Sequence, residues 1–179
     1  MQRILVAGIT GAGKTTMAQA LAARLRLPFH EMDSLVFTGP GWAVDPDLHR
    51  QVAKIAATPG WIFDSFGHPE VRDLLWTSAD TVIWLDYPRA VVMPRVLRRS
   101  LRRTLLRERV FGGNVETLSS WFSGDHPAWS SWTQHAGRRA EINRRTTDPR
   151  FAPLKVVHLR SPREATAWLG GTWPRPTAG

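Results

Sequence analysis

The 179-residue sequence contains no cysteine. A disulfide framework, a thiolate metal site and a thiol nucleophile are therefore excluded. No stretch approaches the roughly 20 consecutive apolar residues that a transmembrane helix needs, and the first residues read as a strand rather than a secretory signal. The six histidines show no metal-ligand spacing, so we expect no structural metal. We expect a cytoplasmic protein that does not bind membranes.

Acidic residues are scarce: 15 Asp and Glu stand against 24 Lys and Arg, which gives a formal net charge of +9. Residues 95–109 alone contain seven arginines and one glutamate, and so account for most of this excess. A localised excess of positive charge indicates an anion site more strongly than a diffuse one does. The length fits one domain, which we place at 1–170, followed by a flexible tail at 171–179.

Short apolar runs alternate along the chain with helical patterns. Five runs read as buried strands: 3–8, 28–32, 61–65, 81–86 and 155–159. Helices are predicted between and after them: 14–26, 46–57, 88–106, 127–145 and 162–169. This alternation predicts an α/β fold of three layers, with a five-stranded parallel sheet and helices on both faces.

The first predicted strand leads into GITGAGKT, residues 8–15, which matches the phosphate-binding pattern G-x-x-x-x-G-K-[ST]. Glycines let backbone amides converge on a phosphate, and the following helix adds the partial positive charge of its N-terminus. Lys14 is expected to reach the β- and γ-phosphates and Thr15 to ligate Mg²⁺. The predicted nucleotide-binding residues of this segment are Gly8, Thr10, Gly11, Ala12, Gly13, Lys14, Thr15 and Thr16. The pattern predicts that a nucleoside triphosphate binds here, with ATP and Mg²⁺ as the expected ligands.

Two carboxylates are predicted at the ends of strands, where an α/β sheet presents its ligands. Asp64 is the candidate for the magnesium shell, and Asp33 the candidate to orient an acceptor hydroxyl or take its proton. Glu31 falls near the same edge. Asp86 is a rival for the metal role, but the proline at 88 favours its reading as the cap of the next helix.

The order of these motifs resembles the adenylate-kinase-like P-loop kinases, and within them the topology-modulation proteins most closely. The likeness spans about residues 2–169 and includes "LPFHEMDSL", "GWIFDSFG" and "ADTVIWLDYPR". It implies that Asp64 acts with Mg²⁺ and that Asp33 faces the acceptor. Ser65 replaces the glycine of the usual D-G turn, and the arginine that follows that turn in nucleoside monophosphate kinases is not evident. These departures argue against a nucleoside monophosphate as acceptor.

The arginine-rich helix is expected to turn a stripe of Leu97, Leu101 and Leu105 to one side and its arginines to the other. The resemblance implies that Arg95 and Arg99, four residues apart, contact the nucleotide, with Arg103 and Arg107 continuing the row. A short basic lid is predicted at about 107–126.

Further candidates come from the end of the chain and from the acceptor side. Arg138 and Arg139, on the helix after the lid, are candidates for a second clamp on phosphate. The resemblance also implies that Ser161, Pro162 and Arg163 back the adenine ring. Trp42 is expected either to stack on the acceptor or to anchor its loop.

Together these features predict a kinase that transfers the γ-phosphate of ATP to a small-molecule acceptor, of the nucleoside monophosphate or shikimate kinase type. Lys14, Asp33, Asp64, Arg95 and Arg99 are the predicted catalytic residues, and Thr15 and Asp64 the predicted metal residues. The alternative is a nucleotide-dependent regulatory ATPase, or one associated with nucleic acid, without a small-molecule acceptor. No feature specifies an oligomeric state.

Overall fold

The structure is a computed structural model that describes residues 1–39, 42–106, 109–110, 114–115 and 127–171. Its centre is a five-stranded sheet formed by β1 (Arg3–Gly8), β2 (Phe29–His30), β3 (Trp61–Phe63), β4 (Thr81–Leu85) and β7 (Lys155–Leu159). Across the sheet the strands lie in the order β2-β3-β1-β4-β7, and every pair of neighbours is parallel. The predicted fold class is confirmed.

Seven α-helices in the described residues connect and cover the strands. They are α1 (Lys14–Leu25), α2 (Met32–Val36), α3 (Leu48–Ala56), α4 (Arg72–Ser78), α5 (Arg89–Leu106), α6 (Pro127–Thr146) and α7 (Pro162–Gly170). A 3₁₀ turn, Pro149–Phe151, precedes β7. None of these helices is long and apolar enough to cross a membrane.

Each sheet face is covered by its own apolar cluster, because successive residues of a buried strand point to opposite sides. On one face Leu5, Phe63 and Trp84 pack with side chains of α2, α3, α4 and α6. On the other face Ile4 and Ile83 pack with side chains of α1, α7 and the start of α5. The carboxyl ends of β1, β3 and β4 therefore meet at one edge, between two helical layers.

Two of the predicted elements have different bounds in the structure, and one helix was not predicted. The predicted strand 28–32 is shortened to β2, since the chain turns into α2 where the Met32 amide donates to Asp64 Oδ1 at 3.0 Å. Asp33 consequently lies on a helix and not at a strand end. Helix α4 was not predicted, and α3 begins at Leu48, two residues later than expected.

The predicted lid falls mostly on residues outside the described ones. Within it, β5 (Arg109–Val110) and β6 (Asn114–Val115) pair in antiparallel register. Arg107 and most of the predicted tail also lie outside the described residues, so their roles remain predictions.

The leucine stripe of α5 is not the face that packs into the core. Leu97, Leu101 and Leu105 are 43%, 50% and 70% exposed, whereas Val92 and Val96 are fully buried. The reason is the phosphate loop: a Cβ added to Gly11 would lie 2.5 Å from Val96 Cγ2, so the loop backbone rests directly on this row of α5. Val96 and Ser100 are buried positions of that row. Arg95 and Arg99 directly precede them in the sequence and therefore border the loop.

The buried face of α5 predicts that two side-chain truncations on this helix lower the free energy of unfolding by different amounts. Val96→Ala should lower the free energy of unfolding by about 2 kcal/mol, because it removes fully buried methyl groups and leaves a cavity. Leu101→Ala should change it by no more than about 0.5 kcal/mol. Urea unfolding of both variants measures the difference. A larger cost for Leu101→Ala would contradict the assigned face.

Candidate active site

The phosphate loop joins β1 to α1 with a backbone that only glycine adopts without strain at two key positions. Gly11 and Gly13 have φ angles of 84° and 91°. A Cβ added to Gly13 would meet no atom within 4 Å, so the loop surrounds open space at the N-terminus of α1. Backbone amides and the helix dipole favour an anion in such a space. This cradle fits the phosphates of a nucleotide.

Lys14 is the first residue of α1, and its ammonium group donates to the Ile9 carbonyl at 3.2 Å across the loop. Desolvation lowers the pKa of Lys14, and the nearby carboxylates of Asp33 and Asp64 only partly oppose this. The positive charge of Arg99 lowers the same pKa further. A desolvated cation beside a second cation is poised to bind a strongly charged anion such as a triphosphate.

Thr15 and Asp64 form a pair that fits Mg²⁺. The Thr15 hydroxyl donates to Asp64 Oδ2 at 2.5 Å, and Asp64 is a buried carboxylate at the end of β3. Mg²⁺ prefers oxygen ligands and is usually held by one or two protein groups together with substrate phosphates and water. The donor set at this point of the loop therefore suits the ion predicted from the sequence.

Asp33 faces the same space from α2. It lies in the mouth of a cavity where desolvation raises its pKa above the ordinary value of 3.8, although part of the side chain is exposed at the surface. Lys14 lowers the pKa and Asp64 raises it, while Arg99 and Arg103 lower it by lesser amounts. A carboxylate with a raised pKa is better suited to accept a proton from a hydroxyl than an ordinary exposed one.

A cavity of about 260 Å³ connects the phosphate loop to a basic wall. We call it the acceptor cavity. Its lining includes Gly8, Thr10, Lys14, Asp33, Phe37, Asp64, Phe66, His68, Arg72 and Arg138. The guanidinium carbons of Arg72 and Arg138 lie 4.4 Å and 4.9 Å from the centroid of the Phe66 ring. The cavity is thus lined by two carboxylates, Asp33 and Asp64, by Lys14 of the loop, and by two arginines that lie against Phe66.

Two other side chains define the walls of the acceptor cavity. His68 Nδ1 is buried there with no hydrogen-bond partner among the described residues. Trp42 packs edge-on against Phe37, with ring centroids 5.4 Å apart, and does not itself line the cavity. Of the two expected roles for Trp42, anchoring a wall is the one that the geometry supports.

A second cavity, of about 420 Å³, lies on the other side of the loop. We call it the base cavity. Its lining includes Gly11, Ala12, Gly13, Thr16, Tyr87, Arg95 and Pro162. Arg95 and Pro162 therefore line the same cavity as the glycines of the loop, and their contacts with a nucleotide remain a prediction. Ser161 is not in this lining: its hydroxyl accepts from the Glu164 amide at 3.2 Å and caps α7, and Arg163 lines neither cavity.

Asp86 and Arg139 take roles that differ from the predicted ones. Asp86 does not cap α5; its carboxylate accepts from Arg139 Nε at 3.0 Å and from His158 Nε2 at 2.9 Å. Arg139 is therefore held by Asp86 instead of clamping phosphate beside Arg138. Glu31 accepts from the Ser34 hydroxyl at 2.6 Å and is absent from the acceptor cavity lining.

Comparisons of the sequence with known proteins agree with this geometry. Residues 4–86 match the model of the ATPase family associated with various cellular activities (AAA), a stretch that contains the phosphate loop and β1 to β4. A shikimate kinase from Pseudomonas fluorescens is 34% identical over 182 residues, which cover 98% of this chain and 90% of the relative. The chain belongs to the shikimate kinase family. A shikimate kinase from Pseudomonas syringae pv. syringae is 29% identical over 166 residues, 90% of this chain and 80% of the relative.

Solved structures share the fold of this shikimate kinase family member. A shikimate kinase from Acinetobacter baumannii in complex with shikimate aligns with a TM-score of 0.53 at 15% identity, covering 94% of this chain and 89% of that one. An unliganded sugar kinase from Janibacter sp. HTCC2649 aligns with a TM-score of 0.52 at 19% identity, covering 94% and 92%. The predicted activity is confirmed: the protein is an ATP-binding P-loop kinase that acts on a small molecule. The narrower resemblance to topology-modulation proteins remains a prediction.

Sequence reasoning missed Arg72 in this member of the shikimate kinase family. No arginine was evident directly after the DSFG turn, yet Arg72 reaches back to it by donating from Nε to the Gly67 carbonyl at 3.1 Å. Its NH1 atom also donates to Glu141 on α6 at 2.7 Å. The signal that could have revealed it is the amphipathic stretch RDLLWTS, which forms α4 and begins with this residue.

Asp33→Asn should abolish most turnover and raise stability at neutral pH. Turnover should fall by about 10²–10⁴-fold if Asp33 is the proton acceptor, the role expected from the sequence. Because the pKa of Asp33 is raised on folding, its stabilising contribution is present below pH 3.8 and lost as pH rises through the folded-state pKa. The variant should therefore melt at a higher temperature than the wild type at pH 7, and the difference should shrink as pH falls through that window.

A matched control for this pH dependence is Asp73→Asn, which should have the opposite effect on stability. A hydrogen bond from Arg145 lowers the pKa of Asp73, so its ionised form stabilises the fold above pH 3.8. This variant should melt at a lower temperature than the wild type at pH 7 and retain turnover. Melting curves from pH 3 to 8 measure both effects. Equal shifts for the two variants would contradict the assignment of Asp33.

Substitutions of Arg95 and Arg138 should raise the KM for different substrates, because these arginines line different cavities. Arg95→Gln should raise the KM for ATP by about 10–100-fold with little change in the KM for the acceptor. Arg138→Gln should do the reverse. Steady-state kinetics with each substrate varied in turn provide the test, and Arg98→Gln, an exposed position of α5, is the control. An effect of Arg138→Gln confined to ATP would place this arginine with the nucleotide, as first expected.

Proposed function

We propose that the protein catalyses the Mg²⁺-dependent transfer of the γ-phosphate of ATP to a hydroxyl group of shikimate or a closely similar carboxylate-bearing polyol. The observation that carries this proposal is the composition of the acceptor cavity. Two carboxylates, Asp33 and Asp64, line the cavity beside Lys14 of the phosphate loop, and two guanidinium groups, of Arg72 and Arg138, lie at Phe66. An acceptor that carries both a hydroxyl and a carboxylate matches this set of charges.

The basic wall supports an acidic acceptor over a neutral sugar. Arg72 donates to Glu141 at 2.7 Å, while Arg138 lies 3.9 Å from the same carboxylate. One carboxylate thus faces two guanidinium groups, which leaves an excess of positive charge at the wall. Desolvation lowers the pKa of Arg72, Glu141 opposes this shift, and the charges of Arg138 and Arg145 add to it. A bound carboxylate would relieve the repulsion between the two cations.

The names of the relatives support the same acceptor. Several relatives, including those from Pseudomonas fluorescens and Pseudomonas syringae, are named shikimate kinases, and one structure with the same fold is described as a complex with shikimate. The His68 ring, whose Nδ1 atom has no partner among the described residues, offers a further polar contact for a ring hydroxyl.

The chemical step would use residues that surround the loop. Asp33 would accept the proton of the attacking hydroxyl as its oxygen forms a bond to the γ-phosphorus and the bond to ADP breaks. Lys14 and Arg99 would stabilise the negative charge on the transferred group. Thr15 and Asp64 would hold Mg²⁺, which supplies further neutralisation of the phosphate oxygens when bound. Closure of the predicted lid over this space would exclude water.

The decisive experiment measures ADP release from ATP and Mg²⁺ with shikimate, gluconate and AMP as separate acceptors. We expect shikimate to stimulate release above the acceptor-free rate by far more than the other two. Lys14→Ala should lower the stimulated rate by about 10²–10³-fold, because the phosphate loop loses its cation. Mass spectrometry of the product identifies the phosphorylated compound. Stimulation by AMP in place of shikimate would overturn the proposed acceptor, and no stimulation by any of the three would remove its support.

A further inference from the structure

A third cavity, of about 610 Å³, lies between β4, β7 and α6. We call it the basic cavity. The charged and titratable side chains that line it are Asp86, Arg89, His135, Arg139, His158 and Arg160. It shares no lining residue with the acceptor cavity or the base cavity. The proposed function therefore does not account for it.

The charge of the basic cavity is positive. Three arginines line it, one from α5, one from α6 and one from the segment after β7, and Asp86 is the one carboxylate among its lining residues. Even with both histidines neutral, the lining carries an excess of two positive charges. Such a concentration of guanidinium groups around one concavity attracts anions.

Asp86 does not cancel this potential. Its carboxylate is 8% exposed and already accepts hydrogen bonds from Arg139 and His158, at 3.0 Å and 2.9 Å. The His158 ring in turn stacks on Trp84, with centroids 4.0 Å apart and planes 3° from parallel. One wall of the cavity is thus a fixed unit in which the negative charge is already paired.

Among the described residues that line the basic cavity, Arg89 has a buried donor atom without a partner. Its Nε atom is buried and has no hydrogen-bond partner among the described residues. Its guanidinium carbon lies 5.0 Å from the Trp132 ring centroid, a contact that orients the group without neutralising it. Because a buried donor without a partner is costly, an acceptor from a ligand would stabilise this arrangement.

Arg160 provides the second cation. It follows β7, and the nearby Glu164 carboxylate accepts from the Arg160 backbone amide at 2.8 Å and from the Ser161 hydroxyl at 3.2 Å. That carboxylate is therefore engaged in capping α7. Arg160 lines the cavity together with Arg139 of α6.

We propose that the basic cavity binds the phosphate group of a small phosphorylated molecule, with Arg89 and Arg160 as the cations that contact it. A phosphate monoester carries a charge of about −1.5 to −2 at pH 7, which matches the excess of two positive charges. Asn143 also lines the cavity, as does His135, whose Nε2 atom lies 2.9 Å from the Tyr87 carbonyl oxygen. A ligand here would contact both the start of α5 and the segment after β7, through Arg89 and Arg160.

The test is a calorimetric titration of inorganic phosphate into the full chain, with the phosphate loop saturated by Mg²⁺ and a non-hydrolysable ATP analogue. The Arg89→Gln/Arg160→Gln double variant should bind phosphate about tenfold or more weakly than the wild type. The matched control is Arg98→Gln/Lys54→Gln, which removes the same net charge from exposed positions of α5 and α3. It should bind as the wild type does. Equal affinity in all three proteins, or equal weakening in both double variants, would overturn the proposal.

A second measurement needs no substitution. In the wild-type protein, phosphate should shift the NMR signals of the His158 ring in a saturable way, since this ring lines the cavity. The His30 ring, which lines a different cavity at the opposite ends of the strands, should not respond. A His158 signal that stays constant, or that moves together with that of His30, would contradict the proposed site.

Discussion

The buried carboxylate of Asp64 is the group on which the active site depends. Its two oxygens accept from the Thr15 hydroxyl at 2.5 Å and from the Met32 amide at 3.0 Å. One side chain at the end of β3 thereby joins the first turn of α1 to the first turn of α2. Since Asp33 follows Met32 directly, the same carboxylate that fits the metal site also positions the candidate proton acceptor. Positioning of this kind supplies much of the catalysis in phosphoryl transfer.

The phosphate loop also positions the arginines of α5, and it does so by packing and not by ion pairs. Its backbone approaches Val92 and Val96 so closely at Gly11 that no side chain fits between them. This contact fixes how helix α5 is rotated about its own axis. Arg95 consequently lies beside the base cavity, and Arg99 lies near Lys14 and Asp33. Packing of small apolar groups therefore determines where the cations lie, and the cations determine the chemistry.

The active site brings together like charges and desolvated ionisable groups. These groups do not stabilise the fold. Desolvation lowers the pKa of Lys14 and raises that of Asp33, so the ionised form of each is disfavoured where it stands. Arg72 and Arg138 share the single carboxylate of Glu141. Such unfavourable electrostatics are common where an anionic substrate completes the charge balance, and they account for the opposite effects on stability and turnover expected at Asp33.

Local patterns in the sequence were sufficient for the fold class, for the phosphate loop and for Asp64, because apolar periodicity and glycine chemistry act over a few residues. They also selected Asp33, Arg95 and Arg138 as candidates, and the structure places these residues in the lining of the two cavities beside the loop. Tertiary structure alone decided the role of Arg72, the pairing of Asp86 with Arg139 and His158, and the buried face of α5. Each of these depends on which distant side chain lies opposite: Glu141 is 69 residues from Arg72, and His158 is 72 residues from Asp86. A helical pattern specifies that one face is buried, but the partner that covers it determines which face that is.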